Sequence, residues 1–199
     1  ADASDEDVGR ALFTLKALRQ RLNDALPGLA ATGSGTLKTR IHGDFHLGQV
    51  LATQGDAYII DFEGEPAKPL AARRAKASPL RDVAGLIRSF DYAAATIARS
   101  ATIVATGKAE ERRQALMHRF VIEASASFLE AYRAVLQDAP RPWVSPETWH
   151  ALLDLFLIEK SAYEICYEAA NRPGWLPIPL RGMADLVARS VEGQPDAHA

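Results

Sequence analysis

Cysteine occurs once in these 199 residues, as Cys166, so neither an internal disulfide nor a zinc site built on paired cysteines is open to the chain. Long hydrophobic runs are also lacking. The stretch "ALLDLFLIEK" is broken by Asp154 and Glu159, far short of the ~18 apolar residues that a membrane helix needs. Neither charge is in excess: 23 Lys and Arg against 25 Asp and Glu leave −2, which argues against nucleic acid or a membrane surface as partner. The one basic run, Arg73-Arg74-Ala75-Lys76, reads as a solvated loop. The opening "ADASDEDVGR" has neither the basic nor the apolar region of a signal peptide, so a cytoplasmic location is expected.

With 48% hydrophobic residues the chain can build a core, and it reads as a single domain over 1–199. Val8, Leu12, Leu15, Leu22 and Leu26 recur at helical spacing, and Pro27-Gly28 is expected to end that helix. The small-residue loop 31–36 lacks the Lys and spacing of a phosphate-binding loop. Three short β-like pieces follow at 38–42, 50–53 and 57–61, the last two joined as a hairpin by Gln54-Gly55-Asp56. Beyond them the pattern is helical. Ser78-Pro79 opens a helix that should run to Gly107, with Val83, Leu86, Ile87, Phe90 and Ile97 inward. Further helices are expected over 110–138, from Ser145-Pro146 to about 171, and over 180–191. "RPGWLPIPL" reads as an irregular loop because of its three prolines, and "EGQPDAHA" as a frayed tail. The expected fold is mainly α (α+β), a helical body with one small hairpin presenting acidic motifs on its turns.

Those motifs are "IHGDFHLGQ" and "DFEGE". Asp44 follows one β-like piece, Gln49 comes five residues later, and Asp61 ends the hairpin seventeen residues beyond Asp44. A hairpin folds back, so the two aspartates can approach each other. One carboxylate can take a proton from an attacking hydroxyl. The other, with an amide oxygen, can hold Mg²⁺, a hard ion that shares its ligands with nucleotide phosphates. Protein kinases use this division of labour: a base Asp, an amide five residues on and a later metal-binding Asp. Each motif alone is also an ordinary turn or solvated acidic loop. A metal-dependent hydrolase using His42, Asp44 and His46 is a further alternative, although His118, His150 and His198 add no ligand pattern.

"RIHGDFHLGQVL", "IIDFEGEP", "SPLRDVAGLIRSFDYAA" and "NRPGWLPIPL" resemble the C-terminal half of bacterial maltokinases, over about residues 38–190. These enzymes belong to the aminoglycoside-phosphotransferase branch of the kinase-like fold and occur alone or fused to trehalose synthase. The resemblance implies a C-terminal lobe that transfers the γ-phosphate of ATP, with Mg²⁺, to maltose, giving maltose 1-phosphate. It assigns Asp44 as catalytic base, Gln49 and Asp61 as Mg²⁺ ligands, and His42 and Asp82 as supports of the catalytic loop. His46, Glu63 and Glu65 would stand near sugar or metal. Lys160, Glu164, Tyr167, Glu168 and Asn171 fall at i, i+4, i+7, i+8 and i+11, one stripe of a helix. By spacing alone that stripe is a solvated face. By resemblance it is the sugar wall, with Trp175 stacking on a pyranose ring.

One departure stands out. Only about 40 residues precede the catalytic motif, and they contain no strand pair, phosphate-binding Lys or Glu partner of a nucleotide-covering lobe. The chain is therefore expected to be a lobe of a longer polypeptide and inactive by itself. A non-enzymatic sugar-binding or regulatory module, or another aminoglycoside-type phosphotransferase, are the alternative functions.

Overall fold

The computed structural model describes residues 3–100, 106–137 and 144–192. Its long helices are α1 (Ala3–Thr32), α3 (Leu80–Ser100), α4 (Lys108–Gln137), α5 (Pro146–Asn171) and α6 (Pro177–Glu192), with the short α2 (Leu70–Arg74) between hairpin and α3. Helix α5 lies at the centre and packs on α1, α3 and α6, while α1 pairs along α6 and α4 leans on α3. Leu80, Val83 and Ile87 of α3 meet Leu152, Leu153 and Leu157 of α5, and Leu186 and Val187 of α6, in one buried cluster. Each such side chain contributes roughly 1.5–3 kcal/mol through burial. The inward positions of α3 recur at three- and four-residue steps from Leu80 to Phe90, which is why this helix forms one apolar stripe, whereas Ile97, expected inward, is exposed. The stripe is what anchors everything the site hangs on.

Strands β1 (Val50–Thr53) and β2 (Asp56–Ile59) pair antiparallel, with Val50 opposite Ile59 and Thr53 opposite Asp56. Gln54-Gly55 makes the two-residue connection, and Gly55 takes φ +86°, a left-handed conformation open to glycine at little cost. The hairpin stands off the core: Leu51, Tyr58, Ile59 and the following Ile60 and Phe62 are all exposed.

Several expectations are corrected. Pro27 does not end the first helix, which continues through it to Thr32. Pro27 is exposed, so the Asn23 carbonyl that it deprives of a partner can turn to water, while Leu26 and Leu29 on either side pack against the core. Residues 38–42 are no strand; they make only an isolated bridge between Thr39 and Ala77. The basic run belongs in part to α2. "RPGWLPIPL" is ordered as a 3-10 turn (Pro173–Trp175) and the start of α6, because first-turn N–H groups have no intrahelical acceptor and Pro177 and Pro179 forfeit nothing there. The expected run of α3 to Gly107 crosses residues 101–105, and the frayed tail falls almost wholly on 193–199, both outside the described residues. Ser145 caps α5 as expected, its hydroxyl accepting from the Thr148 N–H at 3.3 Å.

Candidate active site

The loop from Ile41 to Gln49 is held to α3 by side chains that take its backbone donors. Asp82, in the first turn of α3, accepts the N–H of His42 at 2.6 Å and of Gly43 at 2.9 Å, one on each carboxylate oxygen. Burial pushes this carboxyl above its ordinary range, and the two N–H bonds pull it part of the way back. Ser89, two turns along, accepts the N–H of Leu47 at 3.1 Å. Gly85 lies between them. A Cβ there would stand 2.5 Å from the Phe45 carbonyl oxygen, so only glycine lets the loop sit this close to the helix. Gly43 turns the chain at φ +85° immediately before Asp44.

His42 joins the loop to the hairpin. Its ring is buried between Phe45 and Phe62, Nε2–H donates to the Ile60 carbonyl at 2.8 Å, and Nδ1 accepts the Asp44 N–H at 3.3 Å. Both ring nitrogens are thereby engaged. His46 uses Nδ1 to accept the Gly48 N–H at 3.0 Å, capping the 3-10 turn Leu47–Gln49. A hydrolytic metal on His42, Asp44 and His46 finds no free imidazole pair here. Among the described residues no group of three or more His, Cys, Asp or Glu is arranged to hold a metal.

Gln49 and Asp61 meet at the base of the hairpin, with Gln49 Nε2 donating to Asp61 Oδ2 at 3.1 Å. Asp61 is a non-glycine residue at φ +62°, which is strained backbone held by the turn that follows β2. An amide and a carboxylate in contact are hard oxygen donors of the kind that Mg²⁺ takes when it keeps waters and phosphates as its remaining ligands. The two residues carry the donor types that the expected ion takes, and they line neither of the cavities that Asp44 lines.

Asp44 lines two adjoining cavities. The larger, of about 800 Å³, runs under α2 between the end of α1 and α5. The second, of about 730 Å³, holds the stripe expected on α5: Lys160, Glu164, Tyr167 and Glu168 line it together with His46 and Glu65. Glu164 and Glu168 are nonetheless buried. Burial raises the Glu164 carboxyl above its ordinary range, opposed by the Arg88 guanidinium, whose Nε donates to Oε2 at 3.0 Å. Glu168 accepts from the Tyr92 hydroxyl at 3.1 Å and from Arg172, at 2.6 Å and 3.0 Å. The Tyr92 phenol is pushed up by burial and by both glutamates.

Three expected contributors are not brought to this cavity. Glu63 lies outside both, its carbonyl 3.4 Å from Arg73 Nη1, and Glu65 takes the inward place instead. Asn171 turns back to the Tyr167 carbonyl. Trp175 is stacked on Tyr92 at 6.2 Å between centroids and covered by Arg99 at 4.2 Å, so its ring is engaged within the protein. Arg88, Tyr92 and Arg172 escaped the sequence reading. The first two stand one helical turn apart in "RSFDY", polar groups on the inward side of an otherwise apolar helix, and that was their only signal.

No family model matches the chain. It is similar to a glucosamine kinase of Streptacidiphilus jiangxiensis, 28% identical over 178 residues that make up 89% of this chain and 38% of that protein. It is similar also to a glucosamine kinase of Mycolicibacterium smegmatis, 28% identical over 174 residues, 85% of this chain and 40% of that one. The chain thus spans about two-fifths of the length of these relatives. Among solved structures it resembles a glucosamine kinase in complex with glucosamine, ADP and inorganic phosphate, with a TM-score of 0.68 at 25% identity over 96% of this chain and 47% of that one. A second crystal structure of a glucosamine kinase gives 0.67 at the same identity. The helical body with its single hairpin is therefore the fold of one half of those kinases. These findings overturn the maltokinase assignment, and with it maltose as substrate and trehalose synthase as fusion partner. The motifs around Asp44 and Asp61 carry donor types for phosphoryl transfer, and nothing in them names the sugar.

Proposed function

We propose that this chain is the catalytic and acceptor lobe of an ATP-dependent sugar kinase whose acceptor is an amino sugar of the glucosamine type. The observation that carries the reading is the junction of Asp44 with a cavity walled by the carboxylates Glu164 and Glu168. Buried carboxylates suit an acceptor bearing both hydroxyls and an ammonium group. Likeness to glucosamine kinases supports the same acceptor class.

In this reading Asp44 accepts the proton of one acceptor hydroxyl as that oxygen attacks the γ-phosphorus, while the bond to the β–γ bridging oxygen breaks and ADP leaves. Gln49 and Asp61 would hold Mg²⁺, which neutralises phosphate charge when bound. Asp82, Ser89 and His42 hold the loop so that Asp44 is in place before the substrates arrive. Positioning of this kind supplies most of the rate in phosphoryl transfer. The nucleotide's other contacts belong to a further lobe in the longer polypeptide.

The test is an ADP-release assay on the full-length polypeptide with glucosamine, glucose and N-acetylglucosamine. Glucosamine should give the highest kcat/KM, with glucose lower by at least roughly tenfold for want of the charged amine. Equal turnover of glucose, or none with any hexose, would overturn the acceptor assignment.

A further inference from the structure

Arg88 sits on the inward face of α3 with 3% of its surface exposed. A guanidinium removed from water is a poor way to gain stability, since an apolar side chain of similar volume serves the core as well or better. Its placement is nevertheless prepared from three sides. Nε donates to Glu164 Oε2, Nη1 pairs with Asp91 one turn along α3, and Nη2 lies 3.0 Å from the same Glu164 oxygen without a hydrogen bond. On α6, Gly182 leaves the volume that the guanidinium fills; a Cβ there would overlap Nη1. A residue with no Cβ, opposite an arginine with no solvent, is space kept for that arginine.

The single hydrogen bond to Glu164 falls on Oε2, as does the ion-pair contact, and Oε1 takes none among the described residues. Resting on the acceptor reading above, we propose that Arg88 is the positioning residue of the acceptor pocket: it clamps one oxygen of Glu164 and so presents the other, as a fixed anion, to the sugar. The planar guanidinium bridges Glu164 and Asp91 at fixed angles, and so holds the Glu164 oxygen in a way that a single ammonium does not. Arg88 also opposes the protonation of Glu164 that burial favours. The other charges around this carboxyl are Asp91 on α3, Lys160 and Glu168 on α5, Arg172 paired with Glu168, Asp185 and Arg189 on α6, which reach it through Asp91, and Asp44 across the cavity; the Tyr92 phenol beside them is neutral. The anions Asp91, Glu168, Asp185 and Asp44 are set against Lys160, Arg172 and Arg189, so burial is the larger force on this carboxyl. Without Arg88, burial and the neighbouring anions would favour the protonated, neutral form, which has no attraction for an ammonium group.

The experiment compares Arg88→Met, Arg88→Lys and Gly182→Ala with the wild type in the full-length polypeptide. Acceptor KM, ATP KM and kcat are measured together with the titration midpoint of the Glu164 carboxyl, followed by ¹³C-glutamate NMR and assigned with Glu164→Gln. Arg88→Met should raise the acceptor KM by roughly 10- to 100-fold, leave the ATP KM unchanged and move the midpoint upward. Gly182→Ala should do the same to a smaller degree by displacing the guanidinium. Arg88→Lys retains charge without the planar bridge, so KM should rise while the midpoint stays close to wild type; this variant decides the matter if Arg88→Met fails to fold. Acceptor KM and Glu164 midpoint both unchanged in a folded Arg88→Met protein would overturn the proposal. So would a loss of kcat that follows the folded fraction alone. A wild type that phosphorylates no sugar would remove the proposed function, and the Glu164 midpoint would then decide the role of Arg88 by itself.

Discussion

Replacing Asp44 with Asn keeps the side chain's shape and removes only its ability to take a proton. If the proposed role holds, kcat should fall by roughly 10²–10⁴ with little change in stability, because Asp44 carries no structural bond through its carboxylate among those described. Near-normal turnover would refute it. Asp82 is the opposite case. Its two oxygens take the N–H groups of His42 and Gly43, and the side chain stands between helix and loop. Asp82→Ala leaves both donors without a partner, at about 1–3 kcal/mol each. Urea midpoint and kcat should therefore drop together, and a variant that lost rate alone would show the loop to be held by something else.

At the scale of elements, α5 carries a titratable face whose response to alkali has a definite sign. Burial and the nearby Glu65 push the Tyr163 phenol from 10.0 up to about 12. In the unfolded chain it ionises first, so raising the pH through this window drains protons from the unfolded state and favours it. Stability contributed by the neutral phenol is intact below about pH 10 and is lost progressively toward pH 12. Thermal midpoints measured between about pH 9 and 12 should fall more steeply for wild type than for Tyr163→Phe. Parallel curves would mean that the phenol does not remain neutral in the fold.

Elements also divide by how far they could be read in advance. The α5 boundaries follow from Ser145-Pro146 and the apolar spacing, and the hairpin from the tight turn Gln54-Gly55-Asp56 between two β-like pieces; both are local signals. The path of α1 through Pro27 was hidden, because whether a helix survives a proline depends on where the freed carbonyl points. The opening of α6 was hidden for a related reason: prolines break a helix interior but suit its first turn, and the register was not known. In the site, Asp44, Gln49 and Asp61 declare themselves by residue type and spacing. Arg88 does not, since its meaning comes from Glu164, 76 residues away, and from a glycine on a third helix. Trp175 misled because an aromatic near a sugar wall has two kinds of partner, and here arginine took the face.

For the whole molecule, the core joins α1, α3, α5 and α6 without needing the hairpin. We therefore expect these 199 residues to fold by themselves, with a single cooperative urea transition. ATP turnover should be absent, since Gln49 and Asp61 alone cannot hold a nucleotide in line with an acceptor. Steady formation of a sugar phosphate by this chain in isolation would contradict the division of labour between lobes.

The hairpin's stand-off from the core carries one more consequence. Of its two strands only Val50 is even partly buried, so little apolar surface opposes its opening. Its amides should exchange with deuterium orders of magnitude sooner than those of α3, through excursions that leave the helices intact. Gln49 and Asp61 flank those strands, so the pair proposed to hold the nucleotide's ion is mounted on the region that opens first. In the full-length polypeptide, ATP affinity should then fade on warming before the helical signal does, and ATP with Mg²⁺ should slow exchange in the hairpin while leaving α3 unchanged. Hairpin amides as slow as those of α3 in the isolated chain would show that this part of the molecule is not the soft one.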